Sequence, residues 1–341
     1  MEVDQIVPPR RYWNEISRQV LVLQQIINHL GFDSDILTET MPAQNRQNII
    51  YHLYIGSRPA ETLTDIKAKR TVLFYHGITP PEYFSNHEVQ AYLQRGIDQL
   101  GRLKNRFKLA IATNHFLAEE LHRAGYGEVL VLPPPLDLRQ YHQDPDRQLL
   151  KAYEDDYTNF LFVGEIIPGK KLEDTISVFN YYHKKLNPRS RLFLVGGFAA
   201  HPGYCQKLLA LVNELDIKNV FMTGRVSLSE LLAYYRLAKV FICLSEYEGF
   251  STSLIEAMHL GVPVIAFDRA AVSETLGGAG YLINDRDVRE TARLLDRTVN
   301  DQAMREEIIS GQTNRAVAFL PDQVFPLYRR AIMQIYGSCS G

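Results

Sequence analysis

The stretch that most constrains this chain runs from Val240 to Phe267, VFICLSEYEGFSTSLIEAMHLGVPVIAF. It opens with an apolar run, Val240 to Leu244, and closes with another, Val262 to Phe267. Between them Ser251 to Leu260 carries a helical signature bounded by Gly261 and Pro263. The order strand, loop, helix, strand predicts a parallel α/β unit. In such a unit ligands sit outside the carboxyl ends of the strands, so the loop after Leu244 falls at a site. That loop holds Glu248, Gly249 and Phe250, and the helix holds Glu256, eight positions after the first carboxylate.

A helix starting near Ser251 or Thr252 aims unpaired backbone N–H groups and its positive dipole end at this place, which suits a phosphate. Helical side chains lean toward the N-terminus, so Glu256 can reach back over that phosphate toward an attached ribose. A carboxylate accepts hydrogen bonds from a pair of hydroxyls. Glu248 and Glu256 thus suit one sugar on each side of a diphosphate. The spacing alone carries little, and the alternative is a solvated loop glutamate with a second on a helix surface.

The segment EGFSTSLIEAMHLGVPVIAF resembles the donor-site signature of the retaining glycosyltransferases of family four, matching at Glu248, Gly249, Phe250, Glu256, Ala257, Gly261, Pro263 and Val264. The likeness is strong from Asn159 to Ile283 and weaker over the rest. It implies the α/β GT-B fold, two Rossmann-like, doubly wound parallel-sheet domains facing a central cleft. It also implies a nucleotide-diphosphate sugar on the second domain, a saccharide or lipid-linked saccharide acceptor on the first, and transfer with retention. The expected donor is a UDP-sugar such as UDP-glucose, its uracil gripped through backbone near Gly224. A donor phosphate oxygen would help to deprotonate the acceptor.

The resemblance assigns further residues. In GEIIPGKK, from Gly164, Lys170 stands where the family has a phosphate-binding lysine. The family usually has an arginine directly after that glycine, and this chain has Glu165, which a diphosphate would repel. Lys171 or Arg225 could supply the missing charge. His76, directly after the run TVLFY, stands where the family places a histidine facing the donor sugar; the catalytic pair expected is His76 and Glu248. His52 and His115 read as packing or capping residues, and Asp137 as structural. In place of the family's glycine-rich first loop the chain has PPRRYWNEIS, so Arg10, Arg11 and Trp13 would line the acceptor side. Two rivals stay open: a nucleotide-sugar epimerase on the same fold, with Glu248 and His76 as acid and base, and a catalytically silent sugar-nucleotide sensor.

Composition agrees without deciding. The 341 residues suit two domains, and 46% hydrophobic residues can fill two cores. A net charge of -2 argues against a nucleic-acid binder. Cys205, Cys243 and Cys339 are odd in number and far apart, which indicates neither a disulfide framework nor a zinc site. The start lacks the apolar core of a signal peptide and no run approaches a membrane span, so the expectation is a cytoplasmic protein, with the basic segment RLKNRFK (Arg102 to Lys108) open to a peripheral contact at the inner membrane face. Three D-x-D triplets, at Asp33, Asp144 and Asp285, lie away from the expected donor site. The last reads as a helix cap, no metal is expected, and no cofactor is assigned.

In chain order, strands read at Val3 to Val7, Ile49 to Tyr54, Thr71 to Tyr75, Lys108 to Ala112 and Val129 to Leu132. Ile16, Val20, Leu23, Ile27 and Leu30 mark one face of a helix ended by Gly31. The polar stretch after Pro133 reads as a linker, dividing an acceptor-side domain, 1–150, from a donor-binding domain, 151–318. Strands at Asn159 to Val163, Arg191 to Val195 and Val220 to Thr223 run into Gly164, Gly196 and Gly224, which favour close backbone approach to a ligand. Residues 319–341 read as a helix crossing back to the first domain, with Pro321 and Pro326 setting the turn into it.

Overall fold

The computed structural model describes residues 1–8, 15–38, 46–57, 60, 68–198 and 201–337. They build two compact units: Met1–Glu82, His87–Asp137 and Ala318–Gly341 form the first, and Tyr83–Asn86 with Leu138–Val317 the second. Each contains a six-stranded sheet in which every strand pairing is parallel.

In the first unit β1 (Asp4–Ile6), β2 (Ile36–Leu37), β3 (Asn48–Leu53), β4 (Arg70–Tyr75), β5 (Leu109–Ala112) and β6 (Glu128–Val131) stand in the order β2-β1-β3-β4-β5-β6. All six residues of β3 are buried, as a central strand covered on both faces requires. Helix α1 (Glu15–His29) buries Val20, Leu23, Ile26 and Ile27. It stops where Gly31 takes φ +84°, the left-handed conformation of a helix C-terminal cap. Helices α2 (His87–Leu103) and α3 (His115–Arg123) follow, α3 capped by Asn114, whose side chain accepts from the Leu117 N–H at 2.8 Å. The two-residue β2 is too short to show any periodicity in the sequence.

The second unit begins earlier than the linker reading placed it. The chain divides between Asp137 and Leu138, not near 150, because the polar stretch is tied down by its aromatic residues. Tyr141 is buried, the Tyr153 ring meets Phe193 edge-on at 5.0 Å, and the Asp146 N–H donates to the Ser229 carbonyl. Helix α4 (Arg147–Ala152) lies within this stretch. Then come β7 (Thr158–Val163), α5 (Leu172–Lys185), β8 (Ser190–Val195), α6 (Pro202–Glu214), β9 (Val220–Gly224), α7 (Leu228–Leu237), β10 (Val240–Cys243), α8 (Thr252–His259), β11 (Val264–Phe267), α9 (Val272–Leu276), β12 (Tyr281–Ile283), α10 (Val288–Asn300) and α11 (Gln302–Val317). The sheet order, β12-β11-β10-β7-β8-β9, reverses between β7 and β10. Loops that leave those two strands therefore diverge, and a crevice opens between them.

The C-terminal helix α12 (Pro321–Tyr336) belongs to the first unit. Val324, Tyr328, Ala331, Ile332 and Tyr336 join the core formed by α1 and the sheet. The Tyr336 hydroxyl donates to the Ile49 carbonyl at 3.2 Å, and that of Tyr328 to the Pro133 carbonyl at 3.0 Å. Pro321 does start the helix, but Pro326 lies inside it and not in the turn, at the expense of one backbone hydrogen bond. The packing of α12 yields a graded expectation. Tyr336→Phe should destabilise the first unit by about 1 kcal/mol through one lost hydrogen bond, and Tyr336→Ala by about 3–5 kcal/mol through the cavity, read from urea unfolding midpoints.

Candidate active site

The loop after β7 is shaped by a short turn, Pro168–Lys170, in which the Lys170 N–H donates to the Ile167 carbonyl at 3.0 Å. Lys171, at φ 51°, ends it in the left-handed region. The Gly169 carbonyl accepts from the Glu246 N–H at 2.8 Å, which ties this loop to the one after β10, across the crevice. Lys170 and Glu248 are thereby brought together. The Lys170 ammonium donates to Glu248 Oε1 at 2.7 Å, with only 18% and 8% of the two side chains exposed. Removing one partner of so enclosed a pair strands the other charge at a cost of about 3–5 kcal/mol. The Cys243 thiol lies 3.7 Å from the same oxygen, and burial with that neighbouring carboxylate pushes it up to about 12, so it stays protonated.

Gly164, Gly196 and Gly224 lie side by side at the carboxyl edge of β7, β8 and β9. The Gly164 N–H donates to the Val195 carbonyl and the Gly196 N–H to that of Gly224. A Cβ on Gly196 would fall 1.7 Å from the Gly164 carbonyl oxygen, an overlap that no side-chain adjustment relieves. Next to this edge Arg225 covers Gly197, its Nε 2.8 Å from where a Cβ would stand.

Glu165 is exposed along part of its side chain, and neighbouring protein shields its carboxyl. The shielding raises its carboxyl above the usual carboxylate range, opposed by the positive charges of Arg225 and Lys170. Of the two candidates for the missing family arginine, Arg225 is the one that acts on Glu165. Lys171 instead reaches Glu173, at 3.9 Å.

Helix α8 follows its N-cap Ser251, whose side chain makes no capping hydrogen bond, and Thr252 Oγ1 is buried without a partner among the described residues. Glu256, also buried, is held at both oxygens: the Tyr141 hydroxyl donates to Oε1 and that of Tyr235 to Oε2, the latter at 2.7 Å. Neither tyrosine was legible as a site residue, because Tyr141 sits in the apparent linker and Tyr235 on a helix whose spacing from Glu256 carries no signal.

His76 lies in the first unit, one residue past β4, and is buried. Its Nε2 is 2.8 Å from Nδ1 of His52, whose Nε2 is 3.0 Å from Oε1 of Gln5. Burial holds His76 down to about 3 and, helped by the charge of a protonated His76, holds His52 well below its ordinary value, so both are neutral imidazoles at neutral pH. His52 is thus more than the packing residue expected; its position beside His76 follows from the pairing of β3 with β4. His115 opens α3, where Asn114 supplies the cap.

Arg10, Arg11 and Trp13 fall outside the described residues. Two of the D-x-D triplets are accounted for by caps: Asp146 accepts from Leu149 N–H at the start of α4, and Asp287 from Arg289 and Glu290 N–H at the start of α10. Among the described residues no helix is long and apolar enough to cross a membrane.

Two units of parallel, doubly wound α/β architecture, with charged residues of the second meeting at its switch point, define the class of two-domain α/β proteins. The family follows from comparison: residues 144–315, just over half of the chain, match the model of the glycosyl transferases group 1, and the chain belongs to that family. It is similar to the serotype-specific mannosyltransferase WbdA of Escherichia coli, at 25% identity over 161 residues, which cover 47% of this chain and 20% of that protein. The chain thus matches only about a fifth of that relative's length. Among solved structures, sucrose-phosphate synthase from Thermosynechococcus elongatus superposes with a TM-score of 0.79 at 16% identity, covering 98% of this chain and 99% of the other. HepE from Anabaena, solved with UDP and glucose, gives a TM-score of 0.75 at 14% identity over 98% of this chain and 100% of its own. The fold is GT-B, and the chain carries a group 1 glycosyltransferase domain.

The glycine edge gives a direct expectation. Gly196→Ala should displace the loop that follows Gly164 and lower the melting temperature of the second unit in calorimetry, because the backbone itself must move.

Proposed function

We propose that this protein is a retaining glycosyltransferase that moves a hexose from a UDP-sugar to a saccharide or lipid-linked saccharide acceptor. The observation that carries the reading is the meeting of Lys170 and Glu248 at the switch point of the second sheet, on the chain that also supplies the uncapped start of α8 and the clamped carboxylate of Glu256. In this reading Lys170, Arg225 and the N–H groups at Ser251 and Thr252 take the diphosphate. An ammonium bonds phosphate and carboxylate oxygens with comparable strength, so an incoming diphosphate competes with Glu248 for Lys170. Glu248, so engaged, turns to the hydroxyls of the transferred sugar, and Glu256, oriented by Tyr141 and Tyr235, takes the ribose diol. The backbone at Gly164, Gly196 and Gly224 lets the nucleotide lie against the strand ends.

Retention rests on the resemblance of the Glu248 to Val264 segment to retaining enzymes, and the UDP assignment on HepE, whose structure holds UDP and glucose. The proposal leaves the diphosphate charge to protein groups, so transfer should persist in EDTA. The test is incubation of the full chain with labelled UDP-, GDP-, ADP- and TDP-sugars. Transfer or slow hydrolysis with a UDP-sugar supports the reading, while an epimerised donor, or binding without turnover, overturns it.

Three substitutions then divide the labour. Lys170→Ala should weaken UDP binding by about 1.5–3 kcal/mol, the worth of a charged hydrogen bond. Glu256→Ala should weaken free UDP and UDP-sugar alike. Glu248→Ala should spare UDP, which then binds at least as tightly because Lys170 is freed of its competitor, and depress turnover; equal loss of UDP affinity in both glutamate variants would refute the assignment.

A further inference from the structure

His76 is the end of a chain of buried side chains that crosses three neighbouring strands: Gln5 on β1, His52 on β3 and His76 just past β4. The chain starts where the order β2-β1-β3 reverses, the switch point of the first sheet. The direction of every hydrogen bond in it follows from its first member. The Val20 carbonyl can only accept, so the amide nitrogen of Gln5 faces it, at 3.2 Å, and Oε1 of Gln5 faces His52. An amide oxygen can only accept, so His52 Nε2 carries the hydrogen. His52 is fully buried with no carboxylate among its hydrogen-bond partners, which keeps it neutral, and its Nδ1 is bare. His76 Nε2, 2.8 Å from that bare nitrogen, must therefore donate. The neutral His76 ring then has one remaining nitrogen, Nδ1, as an acceptor, and this atom is enclosed without a partner among the described residues. Phe74 stacks on both rings, at 4.5 Å from His76 and 5.3 Å from His52, and fixes their planes.

We infer that Gln5 and His52 are positioning residues that lock His76 in the tautomer protonated at Nε2, so that its Nδ1 selects a ligand group that donates a hydrogen bond, a saccharide hydroxyl. A phosphate or carboxylate oxygen would set lone pair against lone pair there and is rejected. A buried acceptor without a donor is costly to maintain, and a hydroxyl from the ligand would satisfy it. The identity of that ligand rests on the glycosyltransferase reading; the tautomer does not.

The test begins with the full chain labelled with 15N-histidine at pH 7, the His76 signals being assigned by their loss in His76→Gln. The expected spectrum shows His76 Nε2 with a directly bonded hydrogen and Nδ1 without one, and a UDP-sugar that is turned over should shift the Nδ1 signal toward that of a hydrogen-bonded acceptor, whereas UDP alone should not. Gln5→Met, close in volume, removes the acceptor that orders the chain. It should let His76 populate both tautomers and lower kcat/KM for the sugar nucleotide about tenfold, the worth of one hydrogen bond, while the Kd for UDP holds. His76 protonated at Nδ1 in the unaltered protein, or a Gln5→Met variant with unchanged tautomer and unchanged kcat/KM, would overturn the inference. Should Gln5→Met fail to fold, the spectrum of the unaltered protein decides alone. Absence of turnover with every nucleotide sugar would overturn the proposed function instead, a result the tautomer spectrum does not share.

Discussion

The contact between Gly196 and the Gly164 carbonyl sets the scale for the second unit. Two strand ends that come within a Cβ's reach of each other leave no room for side chains at the carboxyl edge, and the backbone itself becomes the surface offered to a ligand. The turn that follows Gly164 then carries Lys170, and one backbone hydrogen bond from Glu246 to Gly169 draws the loop after β10 to meet it. β7 and β10 flank the reversal in strand order, so the loops that follow them lead to helices on opposite faces of the sheet. Lys170 and Glu248 meet because the sheet topology and one amide bring them together.

Charge is placed with the same economy. Within one crowded region the second unit holds Lys170, Arg225, Glu165 and Glu248. Glu165 stands where the family resemblance implies an arginine, and Arg225, reaching over Gly197, opposes the rise of its carboxyl. The carboxylates of Glu248 and Glu256 differ in their partners in a way that suits different tasks. Glu248 is held by an ammonium, whose grip a competing anion can loosen, whereas Glu256 is held by two phenol hydroxyls, which orient a carboxylate without neutralising it.

Much of this was legible because parallel α/β proteins write their strands as continuous apolar runs. Ile49 to Tyr54 and Thr71 to Tyr75 each fall within a residue of the observed β3 and β4. The two strands that escaped notice, Ile36–Leu37 and Tyr281–Ile283, have two and three residues, less than any periodic signal needs. The stretch from Leu138 to Tyr157 misled for a different reason. Its polar residues are those of a linker, and its ties to the second unit, the rings of Tyr141 and Tyr153 and the Asp146 amide on the Ser229 carbonyl among them, are all long-range.

By itself the sequence determined the alternation of strand and helix, the glycines at the strand ends and the segment from Glu248 to Val264, because these are local properties: apolar period, backbone freedom and the order of residue types along a few turns of chain. Tertiary structure alone decided which side chains hold the functional ones. Tyr235 on Glu256, Lys170 on Glu248 and Gln5 on His52 are separated by 21, 78 and 47 residues, and no local pattern encodes a distance of that kind. Those pairs follow from strand order, parallel register and the packing of helices on each sheet, so the protonation state of His76 and the orientation of Glu256 are properties of the fold.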